Sequence, residues 1–202
     1  MNLKRKIEYI ISLPKSFYVS WRLTSFKQAL HLPIIVRFNT VLKKLSGKIE
    51  FMSQPNTGIV KIGFGDVGIY DKKYQRSILE IAGTITCNGK TNIGHGSRIC
   101  VMRNGNLTFG ANFSNTAQIT IVCAKEIKFD DDVLTPWDTL IMDTDFHQTI
   151  NLGNNRLSIK EKSIFIGKNV WIGTRAVILK GSLIADGCIV GANALVSPQF
   201  RN

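Results

Sequence analysis

No apolar run in this chain reaches the roughly 18–20 residues that a helix needs to span a bilayer, so no transmembrane anchor is predicted. Lys4, Arg5 and Lys6 do precede an apolar stretch, Ile10 to Leu13, but Pro14 and Lys15 soon break it. No small-residue cleavage site follows, and a secretory leader is not expected. The four cysteines, Cys87, Cys100, Cys123 and Cys188, show neither a CxxC pair nor metal-type spacing. No metal is called for, and a reduced, cytoplasmic location is expected. Acidic residues are scarce, 14 against 26 Lys and Arg, and the imbalance is concentrated at the N-terminus. Residues 1–50 hold ten basic side chains against only Glu8 and Glu50. Such a segment suits an anionic membrane surface, a nucleic acid, an acidic small ligand, or plain solvation. No recognisable nucleic-acid module accompanies it, so nucleic acid is not expected as a partner.

What is present is a period. Ile166, Ile172, Ile178, Ile184, Val190 and Val196 recur at an unbroken six-residue interval. Four positions after each of the first five sits Val170, Ala176, Ser182, Cys188 or Ala194, all small or slim. A period of six fits neither the 3.6 of a helix nor the 2 of a strand, and it signals a repeat architecture. The expectation is a triangular coil with three short strands per turn and the lead aliphatic pointing inward. Such turns cannot bury their apolar face alone and must stack. At 202 residues and 44% hydrophobic content, one domain with a real core is expected.

The coil is read as beginning near residue 58, with irregular blocks such as Ile93-Gly94-His95-Gly96 and Phe109-Gly110-Ala111-Asn112. Residues 1–57 are read as a basic helical cap. Within them, Leu3, Ile7, Ile10 and Ile11 predict a short helix over 3–13, ended by Pro14. Phe17, Tyr18, Trp21 and Phe26, interleaved with Arg22 and Lys27, suit either a membrane interface or a plain cap on the coil. The pattern lapses between Phe129 and Ile166, and the polar stretch 148–163 is read as a loop thrown out of the coil. Long loops in compact repeats are more often functional than accidental.

Just before that loop stands Asp143-Thr144-Asp145-Phe146-His147. If 139–147 runs extended, Asp143, Asp145 and His147 share one face. A carboxylate beside an imidazole can fix its orientation and raise its basicity, equipping it to take a proton from an attacking hydroxyl or amine. The same pattern also suits a surface turn with a satisfied histidine.

The run WDTLIMDTDFH (137–147), the polar loop and IFIGKNVWIGTRAVILKG (164–181) together resemble the left-handed β-helix, hexapeptide-repeat O-acyltransferases. The similarity is to the branch that acetylates sugars, polysaccharide building blocks, galactosides or maltose. It covers roughly residues 58–200 and implies a mainly β fold, a left-handed parallel β-helix assembled as a homotrimer. It also implies acetyl transfer from acetyl-CoA to a hydroxyl of a saccharide acceptor, in cell-surface polysaccharide synthesis. By position, His147 matches the family's general base, and Asp145 or Asp143 its orienting carboxylate. Trp171, Thr174, Ala192 and Ser197 match positions near the donor, and acceptor hydroxyls are expected to meet Asp143 and, from the loop, Asn154 or Asn155. The chain departs from the family at Pro198, where relatives commonly have Lys, and in the Gly-x-Pro-Ala tail that relatives add beyond.

Two other activities that use such a coil are disfavoured. A γ-type carbonic anhydrase needs three zinc histidines with a close pair, whereas His31, His95 and His147 are far apart in sequence. A sugar-phosphate nucleotidyltransferase needs a large upstream nucleotide domain. N-acylation of an amino sugar and a non-catalytic trimeric scaffold stay open. So does peripheral contact of the basic N-terminus with the inner face of a membrane.

Overall fold

A computed structural model describes residues 3–65, 67–153 and 155–198. Three parallel sheets of seven, seven and six strands form the three faces of a prism. The chain visits them in strict rotation, and most strands pair with the strand one turn later. Successive turns occupy 34–51, 60–87, 91–109, 113–129, 134–166 and 171–184, followed by a two-sided turn at 189–196.

The six-residue period is the geometry of this prism. Ile166 lies beside Ile184 on the third face, Ile172 beside Val190 on the first, and Ile178 beside Val196 on the second. Three hexapeptides therefore make one turn. Ile166, Ile172, Ile178, Ile184 and Val190 are buried, each worth about 1.5–3 kcal/mol of burial. Val170, Ala176 and Ser182 are also buried, at the corners, where little room is left inside. In the middle turns the interior holds Phe109, Phe113 and Phe129, with the rings of Phe109 and Phe129 stacked at 5.4 Å. Many corners carry a residue in the left-handed region just before the next strand. Asn112, Asp132, Asn169 and Asn193 have φ between 54° and 59°. Asn and Asp tolerate that conformation better than other side chains.

The coil starts earlier than residue 58. Ile34–Val36, Val41–Leu45 and Lys48–Phe51 already form a complete first turn, paired with the strands of the second. Their outward side chains include exposed Lys43, Lys44 and Lys48, so composition read as a basic cap conceals a strand pattern.

The predicted helix 3–13 also extends further, as α1 (Leu3–Leu23), with Pro14 inside it. Proline costs the bond to the Ile10 carbonyl. Pro14 lies on the exposed side of α1, however, and packing on the opposite side carries the helix through. Ser12, Ser16, Val19, Ser20 and Leu23 form that buried side, laid along the open edge of the first sheet. There the Ser16 hydroxyl accepts from Val36 N at 3.0 Å, and its own proton faces Ser12 O at 2.7 Å and Val36 O at 3.2 Å. Ser20 donates to Ile34 O, and Ser12 accepts from Phe38 N. Serine hydroxyls at four-residue spacing thus stand in for the missing neighbouring strand. A second helix, α2 (Phe26–Ala29), starts from a capping box made by Ser25 and Gln28.

Candidate active site

The fifth turn is interrupted between its second and third faces. The strand Leu140–Met142 ends on the second face, and the chain rejoins the third at Ile164–Ile166. Between them the chain forms an antiparallel ribbon. Lys162 N donates to Asp143 O and Asp145 N to Lys160 O, while Ile150–Asn151 pairs with Arg156–Leu157 further out. The expected loop at 148–163 is this ribbon, with its stem at residues 143–147.

The extended alternation proposed for 139–147 does not continue past Met142. Asp143 is fully buried and turned inward. Its Oδ1 accepts from Ala124 N at 2.7 Å, and its Oδ2 from Lys125 N and Glu126 N at 2.8 and 2.7 Å. The carboxylate is spent on holding the corner of the preceding turn and is out of reach of any ligand. Asp145, by contrast, is exposed and pairs with Lys180, whose ammonium also donates to the Ile159 carbonyl. Phe146 adopts φ 61°, which turns the chain again and leaves His147 exposed on the outgoing limb. Asp143, Asp145 and His147 therefore do not share a face, and the Asp145 carboxylate meets an ammonium, not the imidazole.

Asp145, Lys162, Lys180, Ser197 and Pro198 line a cavity of about 140 Å³ at the edge between the second and third faces. Two of the expected site residues, Asp145 and Ser197, meet there. Lys162 and Lys180 escaped the sequence reading. Their signal was a spacing of three hexapeptides, which places one lysine a full turn above the other.

Trp171, Thr174 and Ala192 belong to a different edge, between the first and second faces. Trp171 stands outward on the first face, half exposed. Thr174 Oγ1 donates to the Trp137 carbonyl at 2.9 Å, and Thr174 O accepts from Asn193 N. Ala192 is exposed one turn on, directly against Gly173, where a Cβ would come within 2.5 Å of Ala192 N. Only glycine permits that approach. The same edge carries Tyr70, whose hydroxyl donates to Asp138 Oδ2 at 2.7 Å. Burial first, and then this bond, push the Tyr70 phenol up to about 12. Beside it, Trp137 borders a cavity of about 420 Å³ that also takes in Lys61, Lys90, Asn92 and Ser114. Sequence reasoning passed over this cavity, because its lining comes from outward positions of several turns. Asn154 lies outside the described residues.

Residues 163–198 match the family described as bacterial transferase hexapeptide (six repeats). Among curated proteins, the putative lipopolysaccharide biosynthesis O-acetyl transferase WbbJ of Escherichia coli (strain K12) is 24% identical over 122 residues. That match takes in 56% of this chain and 62% of the relative, so it spans less than two thirds of the relative's length. Among solved structures, a point mutant of AntD, an N-acyltransferase from Bacillus cereus in complex with dTDP and coenzyme A, aligns at 18% identity with a TM-score of 0.37. That alignment covers 81% of this chain and 70% of the other. Six-residue period, three-sheeted parallel coil and matched segment agree: the chain is a left-handed parallel β-helix that carries the bacterial transferase hexapeptide and is similar to the hexapeptide-repeat acyltransferases.

Proposed function

We propose that the protein transfers an acetyl group from acetyl-CoA to a hydroxyl of a saccharide acceptor, with His147 as general base. One observation carries the reading. An exposed histidine, His147, stands at the stem of the only ribbon that interrupts the described coil, and the matched hexapeptides begin where that ribbon ends. The similarity to a protein named as an O-acetyltransferase of lipopolysaccharide synthesis supports the acceptor class. In the reaction, the imidazole takes the proton of the acceptor hydroxyl as its oxygen attacks the thioester carbon. The tetrahedral oxyanion collapses, the carbon–sulfur bond breaks, and the thiolate of CoA leaves and recovers the proton. Lys180 holds Asp145 beside the stem, a positioning role for both.

The two groups of candidate residues occupy different edges of one protomer, with the second face between them. His147, Asp145 and Ser197 lie at one edge, and Trp171, Thr174 and Ala192 at the other. This separation supports a homotrimer in which one copy's ribbon meets the neighbouring copy's first edge, so that donor and base come from two chains. The cell-surface polysaccharide setting and a cytoplasmic location belong to the same proposal.

The test is CoA release, followed with a thiol reagent in the presence of candidate sugars. His147→Ala is expected to lower turnover by about 10²–10⁴-fold while the circular dichroism and thermal transition stay as in the parent. Unchanged turnover in a well-folded His147→Ala variant would remove the mechanism. Absence of acceptor-dependent CoA release from the parent, over a broad panel of hydroxyl and amino sugars, would favour the scaffold reading.

A further inference from the structure

Helix α1 has two faces, and only one of them is used by the coil. The buried side, Ser12, Ser16, Val19, Ser20 and Leu23, seals the edge of the first sheet. The opposite side is also apolar, yet it faces solvent: Leu3 is 70% exposed, Ile10 63%, and Ile7, Ile11, Tyr18 and Trp21 about half. At 100° per residue these six fall on one continuous stripe running the length of the helix. Phe26 of α2, 58% exposed and in edge contact with Phe17, extends the apolar surface at its C-terminal end. A soluble surface helix ordinarily turns such a stripe inward.

The charge around the stripe is of one sign. Lys4, Arg5, Lys6, Arg22 and Lys27 are all exposed on the two helices. The one acidic residue of α1, Glu8, is neutralised by Arg37 at 2.5 Å. Among the described residues no helix is long and apolar enough to cross a membrane. An apolar stripe bearing Trp and Tyr, bordered by cations, fits a helix lying in the interface of an anionic bilayer with its axis along the surface.

We propose that α1 docks the protein on an anionic lipid surface through the stripe containing Leu3, Ile7, Ile10, Ile11, Tyr18 and Trp21. The basic residues supply attraction and the apolar side chains supply insertion, which are the two signals that stable surface binding requires. Docking leaves the serine face on the coil, so the prism is carried on the membrane by its first turn. This inference rests on the helix alone and stands or falls separately from acyl transfer.

The experiment is co-sedimentation of the full chain with vesicles of phosphatidylcholine alone and of phosphatidylcholine mixed with phosphatidylglycerol. Binding is expected to the mixed vesicles and to weaken as salt is raised. An Ile10→Ser, Trp21→Ser double variant, altered only at exposed positions, is expected to keep its thermal transition. It should partition at least about tenfold more weakly. A Lys4→Glu, Lys6→Glu variant should lose the preference for phosphatidylglycerol. Lack of binding by the parent, or equal binding by parent and Ile10→Ser, Trp21→Ser variant, overturns the proposal. So does a parent that ignores vesicles but self-associates through this stripe, shown by light scattering that drops in the same variant.

Discussion

At Asp143 a carboxylate that reads as catalytic in the sequence turns out to be architectural. Its two oxygens accept three backbone N–H groups, from Ala124, Lys125 and Glu126, in the interior of the corner. Asp143→Ala leaves those donors buried without partners, and the expected cost is about 2–5 kcal/mol, read as a lower urea midpoint at unchanged slope. An acceptor-binding carboxylate would behave in the opposite way, weakening acceptor affinity with little loss of stability. Lys180→Ala makes the complementary case at the ribbon stem. It frees Asp145 and the Ile159 carbonyl together, so turnover is expected to fall several-fold while the coil keeps its transition temperature, checked by thiol release and thermal scanning. His147 stands out in the sequence because histidine is rare in the chain and this one lies within the lapse of the repeat, just ahead of the polar stretch; its role as base belongs to the proposed function. The pairing of Asp145 with Lys180 was not, because it joins two side chains across a ribbon whose geometry no local pattern encodes.

Among the elements, the six-residue lead positions from Ile166 to Val196 were readable one by one, since each strand there places an inward aliphatic at fixed spacing. The first turn was not readable. Its strands carry lysines outward, and its open edge is met by a helix instead of another strand. The helix itself contradicted the local rule that proline ends it, because serines on the far side of Pro14 hold it to the sheet. Ser16 is the centre of that attachment, because its oxygen accepts from Val36 N. Ser16→Ala should cost about 1–3 kcal/mol through the unsatisfied Val36 N–H. Hydrogen exchange should locate the loss, with amides of Ile34–Val36 losing protection before those of the central turns.

For the molecule as a whole, the buried interior sets how stability responds to alkali. Burial pushes the Cys87 thiol from its ordinary 9.0 up to about 12, opposed only in part by Thr91. The unfolded chain releases this proton first, so between those values the folded state binds more protons. The contribution is complete below about pH 9 and declines as pH rises toward 12. Tyr70, raised from 10.0 to about 12, adds to the decline over the upper part of that range. Denaturant titrations at stepped pH should show this fall, and a shallower one in Cys87→Ala. The proposed sharing of sites between copies has its own test. Co-assembly of His147→Ala with a variant blocked at the other edge, Ala192→Phe, should restore turnover that neither shows alone, because some interfaces then combine two intact halves. The ribbon carries a last consequence. Leu140 pairs with Val177 and Ile127 with Ile164 as though nothing lay between, so the excursion is neutral to the register of every stave around it. Its length and chemistry are thus free to diverge while the prism stays unchanged; under the proposed function, one rigid frame can then be refitted for new acceptors by rewriting a single appendage.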